Sequence, residues 1–159
     1  LNNYSHNTLT INNRIHQYNG MVTMSKVYDK KKKYRGVKFN LSSLFVDTKS
    51  VTRTILIDKS DKVTCIDKIE SLDTDCSIRW NMTTFAKAEI IDDHTILLKQ
   101  EGKELLLRIA SPKSAKAYIM ENNSGNWYDV KNKGVRVGFT TTIAPNSKST
   151  IKVELTPQK

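Results

Sequence analysis

A histidine beside an amide and a hydroxyl is the first group of residues in this chain that could do chemistry. His6 is followed by Asn7 and Thr8, at the start of a short strand-like stretch at residues 8–12. Neutral imidazole is a good zinc ligand, but a zinc site needs at least three protein donors. Only one donor can be identified here. The group is therefore typical of one corner of a larger site, and no catalytic residue is predicted within the chain.

The two other histidines have less promising surroundings. His16 and His94 lie in polar, turn-like stretches of the sequence. Both are expected to be surface residues.

The elements that must position these side chains follow a strand pattern. Side chains at i, i+2 and i+4 lie on one face of a strand. Residues 76–82 alternate Cys, Ile, Trp and Met with polar residues, and residues 135–140 and 151–156 alternate in the same way. Trp80 is therefore predicted to be a core residue. Similar but noisier stretches occupy residues 8–12, 20–28, 34–45, 52–58, 62–69, 84–91, 95–100, 103–110 and 115–121.

Short turns separate most of these stretches. Residues 59–61, 92–93 and 101–102 are rich in Gly, Asp and Ser, which tolerate the backbone angles of tight links. No long apolar stripe of helical period is present. The pattern predicts a meander of about eleven short strands, in an all-β, antiparallel β-sandwich that forms a single domain over residues 1–159.

Composition limits the possible classes of protein. The chain has 159 residues, 38% of them hydrophobic, and a net charge of +10. This suits one globular domain with a sizeable core. No apolar run approaches the roughly 20 residues of a membrane span, and no signal segment is recognisable. The positive charge favours a polyanionic partner without naming one.

The two cysteines have two interpretations. Cys65 and Cys76 fall on consecutive predicted strands, where a cross-strand disulfide is geometrically possible. Their strand neighbours are apolar, and a chain of this length with only two cysteines favours buried, inert thiols.

Several separate stretches, taken together and in order, resemble the C-terminal β-sandwich of the heparinase II/III-like polysaccharide lyases, a group related to alginate and oligoalginate lyases. The stretches are SHNTLTINNRIHQ (residues 5–17), SVTRTILIDKSDKVTCIDKIES (50–71), IRWNMTTFAKAEI (78–90) and YDVKNKGVRVGF (128–139). They span nearly the whole chain, so the resemblance does not depend on any single motif.

The resemblance implies that an α/α-toroid domain precedes this region in a longer protein. The two domains would cleave a uronic-acid polysaccharide by β-elimination, with catalytic residues supplied by segments upstream. His6 corresponds to the family's HNTL histidine, the last of a His, Asp, His zinc set in metal-containing members. Tyr4 matches no catalytic position. The chain alone is expected to be inactive and to need no cofactor, whereas zinc is implied in the longer protein.

The implied partners are the missing N-terminal toroid and an anionic polysaccharide such as heparin, heparan sulfate or alginate. The implied location is the periplasm or the exterior of the cell. The alternative function is a non-catalytic carbohydrate-binding module that contacts anionic glycans, for which Trp127 and Tyr128 could stack on sugar rings. Those aromatics could equally hold the irregular segment at residues 121–134 against the sandwich.

The basic run at residues 30–35 could contact sulfate or carboxylate groups, although consecutive like charges favour a solvated loop. Nucleic-acid binding ranks last. The basic run contains one aromatic residue, Tyr34, and not a series of interleaved aromatics, and no RNA-recognition motif or oligonucleotide-binding barrel pattern is present.

Overall fold

A computed structural model describes residues 3, 6–29, 31, 33–121 and 134–158. The described residues form twelve strands: β1 (Leu9–Ile11), β2 (Thr23–Tyr28), β3 (Tyr34–Asn40), β4 (Thr48–Asp58), β5 (Val63–Ser71), β6 (Cys76–Thr84), β7 (Lys87–Asp92), β8 (Thr95–Gln100), β9 (Lys103–Ser111), β10 (Tyr118–Glu121), β11 (Val135–Ile143) and β12 (Lys148–Pro157). A 3₁₀ turn, Ser42–Leu44, lies between β3 and β4.

The strands build two antiparallel sheets of unequal width. The small sheet has the order β1-β6-β11-β10, and the large sheet has the order β2-β3-β4-β5-β12-β9-β8-β7. Apolar side chains from both sheets, including Trp80, Phe139, Ile151 and Val153, belong to one buried cluster. The predicted all-β sandwich is therefore confirmed, with twelve strands described where about eleven were expected.

Strand alternation places the core as the sequence predicts. On β6, Cys76, Ile78 and Trp80 are buried, whereas Ser77 between them is exposed and Arg79 is half-buried. The Trp80 ring stacks on Phe139 of the neighbouring strand at a centroid distance of 5.9 Å. The prediction that Trp80 is a core residue is confirmed.

The simple meander is only partly right. Strands β2 to β5 pair in sequence order, as do β7 to β9. The chain leaves the large sheet at β6 and returns at β7, and β12 inserts between β5 and β9. Alternation reports which face of a strand is buried, but it carries no information about which strands are neighbours. The crossovers could not be predicted for that reason.

The cysteines are free and buried, as the favoured interpretation predicts. Cys65 lies on β5 of the large sheet and Cys76 on β6 of the small sheet. Burial raises the pKa of each thiol to about 11. Both are therefore protonated at neutral pH, which makes them poor nucleophiles.

The four-stranded small sheet leaves the β2 end of the eight-stranded large sheet uncovered. Residues that face the core side at the β2 edge are consequently exposed, as shown by Met24 at 60% and Tyr28 at 68%. Their partners in the ladder lie on β3, where Met24 is opposite Phe39 and Tyr28 is opposite Arg35. This edge is an open flank of the sandwich.

Some predictions fall on residues outside the described part of the chain. These residues are Tyr4, Lys30, Lys32, Trp127 and Tyr128, together with most of the irregular segment. The described residues include no helix with the length and apolar character needed to cross a bilayer.

Candidate functional site

The histidine singled out in the sequence lies in a tight turn immediately before β1. The His6 amide donates to the Asn3 carbonyl at 3.3 Å, and the His6 carbonyl accepts from the Thr8 amide at 2.8 Å. The imidazole is exposed. These bonds fix the backbone of His6 while leaving its ring nitrogens accessible to a ligand.

Asn7 ties this turn to both sheets. Its side-chain Oδ1 accepts from the backbone amide of Thr83 on β6 at 2.7 Å. Its main-chain carbonyl accepts from Nη1 of Arg53, on β4 of the large sheet, at 2.9 Å. Because Asn7 directly follows His6, the position of the imidazole depends on contacts with both layers of the sandwich.

The anchor behind Asn7 is a buried ion pair. Arg53 Nε donates to Asp67 Oδ1 at 2.6 Å and Arg53 Nη2 donates to Asp67 Oδ2 at 2.8 Å. Asp67 is fully buried and the Arg53 residue is 7% exposed. Burial alone would lower the pKa of Arg53, but the hydrogen bonds and the charge of Asp67 outweigh it, and the pKa is raised. The guanidinium is therefore a fixed cation between the sheets.

Both members of this pair lie within a stretch that the resemblance picked out, but no role was predicted for either of them. Arg53 and Asp67 are direct partners in the β4–β5 ladder. The predicted turn at residues 59–61 is centred on residue 60, midway between positions 53 and 67. A hairpin around this turn therefore places these two residues opposite each other. The opposite charges at these two positions were the signal that could have identified the pair.

His16 lies close to the same anchor. Its Nε2 is 3.1 Å from the Leu9 carbonyl oxygen and its ring meets Phe45 edge to face, with the ring centroids 4.9 Å apart. A carbonyl can only accept, so Nε2 carries the proton and Nδ1 carries the lone pair in the neutral ring. Burial lowers the pKa of His16, opposed by the Leu9 bond and assisted by the charges of His6 and Arg53.

The expectation that His16 and His94 are simple surface residues is wrong. Both are half-buried, and His94 Nε2 lies 2.8 Å from the Lys113 carbonyl oxygen. In each case the ring is bonded to a main-chain carbonyl oxygen. Polar neighbours in the sequence indicated the turns correctly but did not reveal these bonds.

The donor set for a metal is incomplete in the described residues. They contain no group of three or more His, Cys, Asp or Glu side chains that could hold an ion. His6 is the only donor that the resemblance assigns here, and one donor does not fit a zinc site. Any zinc held through His6 needs its remaining ligands from outside the described residues.

A second polar cluster lies on the outer face of the small sheet. Asn81, 1% exposed, accepts a hydrogen bond from the Tyr118 hydroxyl. Asn3 donates from Nδ2 to Thr10 Oγ1 at 2.9 Å. Among the described residues, Asn3 Oδ1 and Asn81 Nδ2 have no hydrogen-bond partner. Burial raises the pKa of Tyr118, while Arg79 and Arg136 act to lower it. The phenol is therefore protonated at neutral pH and is not a ready base.

Comparison with solved structures identifies similar folds. Heparan sulfate lyase HepC from Pedobacter heparinus is 12% identical, with a TM-score of 0.73 over 98% of this chain and 24% of that chain. The BT4657 gene product, a heparinase III, is 13% identical, with a TM-score of 0.73 over 96% and 24% of the two chains. A further heparinase III is 11% identical, with a TM-score of 0.70 over 95% and 23%.

Sequence comparison adds nothing to this result. No protein-family model matches the chain, and a search of curated proteins finds no significant match. The chain spans about a quarter of the length of the solved structures above. At these low identities the comparison establishes a common fold, and the chain is similar to these lyases over nearly its whole length.

Proposed function

We propose that this chain is the C-terminal β-sandwich part of a heparinase II/III-like polysaccharide lyase, which cleaves uronic-acid-containing polysaccharide by β-elimination. The observation that carries the proposal is the shared fold with heparan sulfate lyases over 98% of the chain. A common fold alone does not define a reaction. The resemblance of the HNTL segment and of three later stretches supplies the second line of support.

The chemistry requires more than the described residues offer. Removal of a proton beside a carboxylate needs a base and a group that neutralises the developing charge. Tyr118 lies near Arg79 and Arg136, but its raised pKa disfavours it as a base. The base and the charge-neutralising groups are therefore assigned to the toroid domain and to β-region segments upstream of the HNTL stretch in the longer protein, and the isolated chain is inactive.

The proposed contribution of this chain is structural support and one metal ligand. His6 would donate one imidazole nitrogen to a zinc ion, and the bonds from Asn7 to Arg53 and Thr83 would hold the turn that presents it. A zinc ion bound there would stabilise the junction between the two domains. Because such polymers lie outside the cytoplasm, the longer protein is proposed to be periplasmic or secreted.

The test uses the longer protein with heparan sulfate, alginate and hyaluronan. We expect ultraviolet absorbance from unsaturated uronate products with at least one polymer, and none from the 159-residue chain alone. A longer protein that is inert on every uronic-acid polymer would contradict the lyase proposal.

The ligand role of His6 has a separate measurement. His6→Ala should lower the zinc content of the purified longer protein, measured by elemental analysis. His94→Ala is the matched control, since its ring contacts the Lys113 carbonyl in another turn. Equal zinc content in the His6→Ala variant and the wild type would remove the ligand assignment and leave the lyase proposal standing.

A further inference from the structure

A groove opens at one end of the large sheet. The residues that line it do not include the HNTL stretch. The groove lies where the link between β2 and β3 meets the turn between β4 and β5. Its volume is about 680 Å³, within the roughly 300–1,000 Å³ typical of ligand pockets. The residues that carry the argument below are Tyr28, Tyr34, Ile57, Lys33, Arg35 and Lys59.

One wall of the groove offers an aromatic and apolar surface. Tyr28, Arg35 and Ile57 are direct neighbours across β2, β3 and β4, so their side chains lie on the same face of the sheet. Tyr28 is 68% exposed. An exposed tyrosine ring on a rigid strand can pack against the apolar face of a sugar ring and keep a hydroxyl available for hydrogen bonding.

The groove also holds three cations. Lys33, Arg35 and Lys59 form no salt bridge with a carboxylate within the described part of the chain. The nearby acids instead bond to their own turns. Asp29 accepts from the Lys31 and Lys33 amides, and Asp58 accepts from the Ser60 amide at 2.8 Å. The cations are therefore available to an anionic ligand.

The acids restrict which anion fits. Asp29, Asp58 and Asp61 line the groove beside the three cations, so its formal charge is balanced. Hydrogen bonds from Ser60 lower the pKa of Asp58, which is therefore ionised at neutral pH. A ligand with one acidic group and several hydroxyls can pair the acid with a cation and donate its hydroxyls to the carboxylates.

We propose that this groove binds a single acidic sugar unit, one that carries a carboxylate or a sulfate. Arg35 and Lys59 bind the acidic group, Tyr28 packs against the ring, and the Asp carboxylates accept sugar hydroxyls. The groove is a binding site without a catalytic role. That the sugar belongs to a polysaccharide rests on the proposed function, whereas the preference for an acidic sugar rests on the groove.

The experiment is a titration of the isotope-labelled 159-residue chain with a heparan sulfate tetrasaccharide, followed by NMR. Amide shifts should concentrate at the groove residues. The variant Arg35→Gln/Lys59→Gln should bind about 10-fold more weakly, because two charge-assisted hydrogen bonds are lost. The matched control, Lys87→Gln/Lys103→Gln, removes the same charge from exposed positions on β7 and β9, and its affinity should change less than about 2-fold.

Two further comparisons test the aromatic wall and the ligand class. Tyr28→Ala should weaken binding, whereas Tyr18→Ala, at a fully exposed tyrosine, should not. A uronate oligosaccharide from alginate separates carboxylate from sulfate recognition, and binding of either supports the proposal. A neutral tetrasaccharide that bound as tightly would contradict it.

Three other results would also overturn the groove assignment. The first is an equal loss of affinity in the two double variants, the second is amide shifts outside the groove, and the third is tighter binding of duplex DNA than of the tetrasaccharide. The lyase proposal is tested separately, by cleavage with the longer protein. Cleavage by the longer protein with no binding at the groove rejects only the groove, and binding without any cleavage rejects only the lyase.

Discussion

The Arg53–Asp67 pair connects the core of the sandwich to a residue at its surface. The pair is buried, forms two hydrogen bonds, and donates a third to the Asn7 carbonyl. A buried ion pair often adds little net stability compared with apolar residues, because both charges are desolvated. Its contribution here is positional, since it fixes the residue next to His6.

Removal of one partner should be strongly destabilising. Arg53→Met leaves the Asp67 carboxylate buried without its cation, and we expect a loss of about 3–5 kcal/mol in the free energy of unfolding. Denaturant titration measures this loss. The double variant Arg53→Met/Asp67→Leu should lose less than the sum of the two single variants. The surface pair Lys99–Glu104 is the control, and Lys99→Ala should cost less than about 1 kcal/mol.

His16 should make stability depend on pH. Burial lowers its pKa below the ordinary value of 6.5, so the folded state binds this proton less readily than the unfolded state does. The stabilisation is therefore present above the unfolded-state pKa and is lost as the pH falls below about 6.5. Unfolding midpoints between pH 5 and 7.5 should fall more steeply on acidification for the wild type than for His16→Gln. Parallel curves would contradict this assignment.

At the scale of residues, the sequence predicted what depends on local pattern. The placement of His6 before a short first strand and the burial of Trp80 both agree with the structure. The Asn7 bonds to Arg53 and Thr83 join residues 46 and 76 positions apart. No periodicity connects such distant positions, and these contacts required the fold.

At the scale of elements, strand existence was predicted better than strand boundaries. The predicted strand at residues 34–45 ends in the structure at Asn40, because the 3₁₀ turn Ser42–Leu44 follows. The predicted strand at 84–91 is divided between the end of β6 and β7, where the chain changes sheets. Phe85 and Ala86 continue the apolar composition through the second break, so composition gave no sign of it. At the first break, Asn40, Ser42 and Ser43 favour turns and were a signal that could have marked the end of the strand.

Strands β6 and β11 approach each other closely at Gly138 of β11. A Cβ at Gly138 would lie 2.0 Å from the Trp80 carbonyl oxygen, which is a backbone atom and cannot rotate away. Gly138→Ala should therefore force β6 and β11 apart and cost about 1–3 kcal/mol. Thermal unfolding followed by circular dichroism measures the change. Thr140→Ala, at an exposed position on the same strand, should change stability by less than about 0.5 kcal/mol.

At the scale of the whole molecule, both sheets depend on one core. Phe139 is fully buried and stacks on Trp80, and both belong to the cluster shared with Ile151 and Val153 of the large sheet. The sequence predicted this sandwich because strands that alternate apolar and polar residues form a sheet with one apolar face, which a second apolar layer must cover. The pairing of eight strands in one sheet and four in the other depends on long-range contacts that the pattern does not encode.

Truncation of the shared core should therefore destabilise the sandwich as one unit. Phe139→Ala should cost about 3–5 kcal/mol, and circular dichroism and tryptophan fluorescence should report the same unfolding midpoint. Phe85→Ala is the control, since Phe85 is 68% exposed. Separate midpoints for the two probes would show that the sheets unfold independently.

The unequal widths of the two sheets imply a gradient of local opening across the large one. Interior strands β5 and β12 have ladder partners on both sides and lie beneath the small sheet, whereas the edge strands β2 and β7 are each paired on one side only within the described sheet. Amide hydrogens should consequently exchange with solvent fastest on β2 and β7 and slowest on β5 and β12. A ligand or a neighbouring domain that binds the β2 flank should slow exchange there at a cost in conformational entropy, and should leave exchange on β5 and β12 unchanged.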